Sequence, residues 1–173
     1  MDDDGGSDEP SFVRAALDRY ERPLLSYALK IVGGNDVERA RDCVQETFAK
    51  LCDQPPANVN GHLGPWLYTV CRNAALDVRR KARREMALVE TAADETTIAS
   101  AAPPPDRIAE ANDSTSHVLR MLAQLPENQQ EVIRLKFQHQ MSYREISRIT
   151  GHSESNVGFL IHRGIKSIRE MLS

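Results

Sequence analysis

Apolar residues recur along this chain at three- and four-residue intervals, and no segment alternates with period two, so an all-α fold is expected. Phe12, Ala16, Tyr20 and Leu24 form a first stripe, broadened by Val13, Leu17 and Leu25, with Ser11 as candidate N-cap. Pro23 lacks an N–H and crowds the preceding turn. It predicts a kink or break near Arg22 and a second piece holding Leu25, Leu29, Ile31 and Val32. Gly33-Gly34-Asn35 ends that piece, and Asn35 or Asp36 caps the next helix. From Asp36 to Leu51, one face carries Val37, Ala40, Val44, Phe48 and Leu51, with Cys43 and Thr47 beside them. Arg41, Asp42, Gln45, Glu46 and Lys50 point elsewhere. A third stripe, Trp66, Val70, Ala74 and Val78 with Leu67 and Cys71, follows Pro65 and leads into Arg79-Arg80-Lys81-Ala82-Arg83-Arg84. Residues 53–65, between these two helices, contain three prolines and two glycines and read as a locally stiff loop.

The pattern lapses twice. Residues 1–9 are polar and acidic with nothing to bury, which predicts a disordered tail. Composition shifts again near Glu85, and residues 90–112 are rich in Ala, Thr, Ser, Pro and acids. A flexible linker is therefore expected over 86–112. Order resumes near Ser114–Ser116, candidate caps for a helix carrying Val118, Met121, Leu122 and Leu125. Pro126 opens another, in which Val132, Leu135 and Lys136 lead to Phe137. Ser142 to Thr150 then reads as a short amphipathic helix, Gly151-His152-Ser153 as a turn, and Glu154 to Met171 as a longer helix. A short helix, a Gly-containing turn and a second helix outline a DNA-binding helix-turn-helix. The expected architecture is two small helical domains, 10–85 and 113–173, joined by a flexible linker.

Charge sharpens this picture. The formal net charge of −3 does not suggest a polyanion partner, but the signs are segregated. Asp2, Asp3, Asp4, Asp8 and Glu9 crowd the N-terminus, whereas Arg72, Arg79, Arg80, Lys81, Arg83 and Arg84 face the single acid Asp77 within 72–84. Six bases on one helix cannot share a side, so some only solvate it. The remainder, beside Trp66, Tyr68 and the polar loop 53–62, suit a nucleic acid whose unstacked bases meet aromatic rings. A plain core anchor is the equal alternative for Trp66.

In the second module, Ser153, Ser155 and Asn156 open the last helix, and Val157, Leu160, Ile161, Ile165 and Ile168 are candidates for its underside. Arg163, Lys166 and Arg169, with Arg144 and Arg148 on the preceding helix, supply cations for phosphates. Asn156 suits adenine, and His162 suits purine acceptor atoms. Gly158 costs about 1 kcal/mol of helix propensity relative to Ala, which calls for a reason such as close approach to DNA. Phe159 either touches a thymine methyl or packs.

Catalysis finds little support. His62, His117, His139, His152 and His162 are scattered, and HExxH, Gly-rich phosphate loops and nucleophile elbows do not occur. No enzyme activity, metal or cofactor is expected. Asp42 and Glu46, an i, i+4 carboxylate pair, suit protein docking better than acid–base chemistry. Cys43, Cys52 and Cys71 lie in no CxxC spacing and are expected to be buried, reduced thiols. No apolar run approaches the roughly 18–20 residues of a membrane span, and the acidic N-terminus is unlike a secretion signal, so a cytoplasmic protein without membrane insertion is expected.

At this point the residues resemble a known family. Ala40-Arg41-Asp42-Cys43-Val44-Gln45-Glu46-Thr47-Phe48 resembles the A-E-D-x-V-Q-E-x-F signature of bacterial RNA polymerase sigma factors of the extracytoplasmic-function type. Trp66-Leu67-Tyr68, Arg72-Asn73 and Asp77-x-x-Arg80 resemble the region 2 helix of those factors, and Leu125-Pro126-Glu127 through Arg163 resembles region 4. The resemblance implies a transcription initiation factor that binds core RNA polymerase and promoter DNA. Asp42, Gln45, Glu46 and Phe48 would dock on the clamp helices of the largest subunit. Asn58, Asn60, Trp66, Asn73, Asp77, Arg80, Lys81 and Arg84 would hold the −10 element as its strands separate. Arg144, Ser153, Ser155, Asn156, Gly158, Phe159, His162, Arg163 and Lys166 would read the −35 duplex, and their domain would also contact the flap of the second-largest subunit. An anti-sigma factor is a further partner class. Arg41 stands where an acid is usual, and Gly158-Phe159 where many relatives carry a basic and a small polar residue. A stand-alone, dimeric helix-turn-helix regulator is the alternative reading.

Overall fold

A computed structural model describes residues 9–33, 35–92 and 113–172. The acidic tail before Glu9 and the linker over 93–112 lie outside the described residues. All regular structure among the described residues is helical, and the chain divides into two compact units, Met1–Pro105 and Asp106–Ser173.

The first unit holds α1 (Glu9–Val32), α2 (Val37–Cys52), the single turn α3 (Pro56–Val59) and α4 (Leu63–Ala92). Helices α1, α2 and α4 pack against one another, each burying one stripe, with Leu24, Leu51, Leu67 and Tyr68 among the largest fully buried side chains. The break expected at Pro23 does not occur, because α1 runs through it. Proline there removes one backbone bond, and Leu24 and Tyr27, one and four residues after it, are buried in the three-helix core and hold the turn in place. Ser11 lies inside α1 rather than capping it. The cap of α2 is Asp36, whose carboxylate accepts the Arg39 N–H at 3.0 Å.

Two further boundaries depart from expectation. The proline-rich loop contains the turn α3, and α4 begins at Leu63, two residues ahead of Pro65. At its other end α4 continues to Ala92, so residues 86–92 of the expected linker are helical. Met86, Leu88 and Val89 there are 64–70% exposed, so the packed core ends before the helix does. Near the start of α4, a Cβ on Gly64 would stand 3.2 Å from the Tyr20 hydroxyl, which shows how closely α1 crosses it.

The second unit holds α5 (Asp113–Ala123), α6 (Glu127–Phe137), α7 (Tyr143–Thr150) and α8 (Glu154–Leu172). Helix α5 starts at Asp113, so Ser114–Ser116 lie within its first turn rather than before it. Helix α8 packs on the other three. Leu122, Leu125 and Ile133 form a buried cluster with Leu119 and Ile168 against it, while Leu135, Ile146 and Val157 are fully buried. The Gln130 amide donates to the Leu125 carbonyl at 2.8 Å and to that of Ala123 at 3.2 Å, closing the α5–α6 turn. Buried Gly164 lets α8 approach α6: a Cβ there would stand 2.5 Å from Ile133 Cδ1.

Candidate nucleic-acid interfaces

Helix α4 separates its core face from a charged one. Its buried stripe is Gly64, Leu67, Tyr68, Cys71, Ala74 and Ala75, rotated from the expected Trp66–Val70–Ala74–Val78 line. Trp66 and Val70 are half-buried at the edge of that stripe. At 3.6 residues per turn, Asn73, Asp77, Arg80, Lys81 and Arg84 all fall within about 60° of Trp66. Each of the five is exposed, as are Asn58 and Asn60 in the loop before the helix. Arg80 pairs with Asp77 at 3.3 Å, both 62% exposed. Such a surface pair is worth about 0–1 kcal/mol, so Arg80 can exchange it for a phosphate at little cost. Arg79 and Arg83 project to other sides of the helix. Tyr68, read from sequence as a second aromatic for bases, is 2% exposed and meets Tyr27 edge-on at 5.2 Å between centroids. Burial pushes its phenol well above the ordinary tyrosine range.

On α2, Asp42, Gln45 and Glu46 are exposed on the side away from the core. Glu38, missed in the sequence although it stands four residues before Asp42, extends the acidic stripe. Arg41 reaches back to Glu38 at 3.5 Å, and Lys50 pairs with Glu46 at 2.7 Å. Phe48, expected at the same docking surface, is instead 6% exposed in the core. The reason is helical register, since Phe48 follows Val44 by four residues and shares its buried face. Cys43 and Cys71 are buried as expected, but Cys52, at the end of α2, is exposed. Burial pushes the Cys71 thiol up to about 12 and raises that of Cys43, to which Glu46 and Asp42 add. Neither is a ready nucleophile.

The second candidate interface is α7 with α8. Ser142 caps α7, its hydroxyl accepting the Glu145 N–H at 3.3 Å while the Glu145 carboxylate accepts the Ser142 N–H at 2.7 Å. Gly151 ends α7 with φ 77°, a left-handed conformation that a side chain would strain, and donates its N–H to Ser147. The Ser147 hydroxyl donates to the His152 carbonyl at 2.6 Å, and the Ser153 hydroxyl accepts the Asn156 N–H at 3.2 Å to start α8. This chain of local bonds fixes the angle between the helices.

Val157, Leu160 and Ile161 form the buried underside of α8, while Ile165 and Ile168 are half-buried. Ser155, Asn156, His162, Arg163 and Lys166 fall within about 60° of Phe159 on the opposite side, and all six are exposed. Phe159 is 56% exposed, and the Arg163 guanidinium lies 5.7 Å from its ring centroid. A cation–π contact at such a site is worth about 0.5–1 kcal/mol. Lys166 stands 3.9 Å from Glu170.

Packing within the unit does not demand glycine at position 158. Gly158 is half-buried beside the Tyr143 ring, and a Cβ there would stand 3.4 Å from that ring. Tyr143 is a surface residue that sequence reasoning passed over. It is 41% exposed at the first position of α7, with the Lys136 ammonium 5.4 Å from its ring centroid. Arg144 and Arg148 are exposed along the same short helix. Away from these faces, burial and then the Arg134 charge lower the pKa of His139 to about 4. Among the described residues no group of three or more His, Cys, Asp and Glu is placed to hold a metal ion, and no helix is long and apolar enough to cross a membrane.

Comparison with known proteins agrees with the two-unit division. The family described as Sigma-70 region 2 matches residues 16–85, and Sigma-70, region 4 matches residues 117–168. The chain is 30% identical over 164 residues to the ECF RNA polymerase sigma factor SigL of Mycobacterium tuberculosis, covering 93% of this chain and 89% of that one. It is 24% identical over 136 residues to the ECF RNA polymerase sigma factor SigM of Bacillus subtilis, covering 79% and 81%. In fold it resembles the sigma factor RpoE of Bartonella quintana, solved with the anti-sigma factor NepR. That likeness has a TM-score of 0.69 at 21% identity, over 92% of this chain and 95% of that one.

Proposed function

This chain belongs to the extracytoplasmic-function sigma factors, which direct RNA polymerase to promoters, and from that membership we propose a division of labour between its two units. The first, residues 10–85, docks on core polymerase and holds the −10 element as the strands part. The second, residues 113–173, reads the −35 element as duplex and meets the flap of the second-largest subunit.

The observation that carries this reading is one face of α4, on which half-buried Trp66 aligns with exposed Asn73, Asp77, Arg80, Lys81 and Arg84 beside the loop bearing Asn58 and Asn60. A half-buried indole at the end of a basic stripe suits a separated strand. The ring offers a stacking platform while the cations follow the backbone. Helix α8 supports the duplex assignment with small polar side chains at its start and cations farther along, the order a major-groove helix requires. The Glu38, Asp42, Gln45 and Glu46 face of α2 is the proposed contact with the clamp helices of the largest subunit. Phe48 acts there only by holding α2 in place from beneath. None of these steps needs a catalytic group or cofactor, and the protein would work in the cytoplasm, where polymerase and promoter meet. An anti-sigma factor, the partner in the RpoE–NepR structure, is a further proposed ligand.

The test is reconstitution. The chain is expected to form a one-to-one complex with core polymerase and to create new transcript starts that share two upstream motifs. Stable dimeric binding to a palindromic duplex in the absence of polymerase would favour the stand-alone regulator instead.

A further inference from the structure

Phe159 stands at the centre of the face that α8 presents, and its neighbours there are polar or charged. Ser155 and Asn156 lie one turn before it and His162, Arg163 and Lys166 one turn or more after it, all within about 60° around the helix. Its ring is 56% exposed, so it is not an anchor of the unit's own core. The Arg163 guanidinium lies 5.7 Å from the ring centroid, which biases both side chains to remain on this face. A phenyl ring can neither donate nor accept the hydrogen bonds by which base edges are usually told apart. The one apolar feature in the major groove is the C5-methyl group of thymine.

We propose that Phe159 is a specificity-determining residue that reads a thymine methyl in the upstream duplex element. The proposal rests on the assignment of α8 to that duplex. It predicts recognition of a methyl group rather than of a base. Cytosine methylated at C5 presents the same group in the same groove and takes the place of thymine, whereas deoxyuridine pairs as thymine does and is refused. The polar residues around Phe159 specify neighbouring positions independently, so its removal erases one column of the preferred sequence and leaves the others.

The test uses the full chain assembled with core polymerase and a duplex pool randomised across the upstream element. The pool is prepared with thymidine, with deoxyuridine in its place, or with 5-methylcytosine in place of cytosine. In the thymidine pool one position should be enriched in thymine by about fourfold over the other bases, the factor that burial of one methyl-sized group carries. That enrichment should vanish with deoxyuridine and extend to cytosine in the 5-methylcytosine pool, where thymine and the methylated cytosine both present the methyl. Phe159→Ala should remove the methyl preference at that position alone, and Phe159→Leu should retain most of it. Because the ring is exposed, neither change should alter the thermal stability of the second unit, and a matched melting curve checks this. Enriched positions that treat deoxyuridine as thymidine, or that survive Phe159→Ala unchanged, overturn the proposal. A wild-type pool with no enriched upstream position overturns both it and the duplex assignment of α8.

Discussion

Helices α4 and α8 are both two-faced, but they differ in what holds the outer face in place. Helix α4 is 30 residues long, and its position is set by α1 and α2 along one continuous buried stripe. Its polar face needs no special residue beyond helical register. Helix α8 is 19 residues long, and its angle depends on a short run of local bonds from Ser142 to Asn156 with Gly151 at the bend. Its fit against α6 depends on Gly164. The first arrangement gives a long rail, suited to a strand tracked over several nucleotides. The second gives a compact wedge whose aim is set by one turn. The same contrast predicts that substitutions act differently in the two units.

The largest effect expected is in the first unit. Phe48→Ala should cost about 3–5 kcal/mol of its stability, as loss of a buried phenyl does, and should be read as a lowered unfolding transition of residues 9–92. If polymerase affinity instead falls at unchanged stability, Phe48 is a contact residue after all. Next come the two glycines of α8. Gly164→Ala should destabilise the second unit by about 1–3 kcal/mol, because the new methyl enters the space of Ile133. Gly158→Ala should be neutral or stabilise it by up to about 1 kcal/mol, since its methyl would meet the Tyr143 ring at ordinary contact distance. Calorimetry on both variants separates these outcomes, and equal losses would remove the structural reason offered for Gly164.

A further effect concerns pH. His139 has its folded pKa lowered from 6.5 to about 4, first by burial and then by Arg134. The unfolded chain therefore binds the proton first as pH falls. The second unit should lose stability progressively between about pH 6.5 and pH 4, with none of this loss above that window. His139→Gln should flatten the slope, and a slope unchanged by that substitution would assign it to other groups.

Much of this arrangement was legible in the sequence. The helical period, the helix-turn-helix boundaries and the segregation of charge follow from spacing alone, and the acidic face of α2 emerged with one residue fewer than it has. One departure arises because register within a helix is decided by its neighbours. Trp66 and Leu67 are both large and apolar, and only the packing of α1 and α2 shows that Leu67 faces inward while Trp66 stays at the edge. Burial denies a surface role to Tyr68, and also to Phe48, which spacing places on the apolar face of α2 and only the family signature places at the docking surface. Pro23 reads as a break because the local rule is sound, and tertiary packing overrode it. Residues 86–92 show the reverse. Their helix extends beyond the core that would ordinarily justify it, and the sequence MALVETA is a good helix former by propensity alone. Gly158 drew attention for its propensity cost, whereas Gly164, six residues on, carries the tighter constraint and gives no sign of it in the sequence.

The central claim is that the α4 face holds opened DNA while α8 reads duplex, and one experiment addresses it directly. The full chain carrying Arg80→Ala with Lys81→Ala is assembled with core polymerase on a promoter mapped for the wild type. Strand opening is then followed by permanganate reactivity, and upstream duplex occupancy by footprinting of the same complexes. Opening should fall by about tenfold, as loss of a charge-assisted phosphate contact of roughly 1.5 kcal/mol implies, while upstream protection stays within about twofold. Equal losses in both signals, or a loss of upstream protection with opening intact, would contradict the assignment.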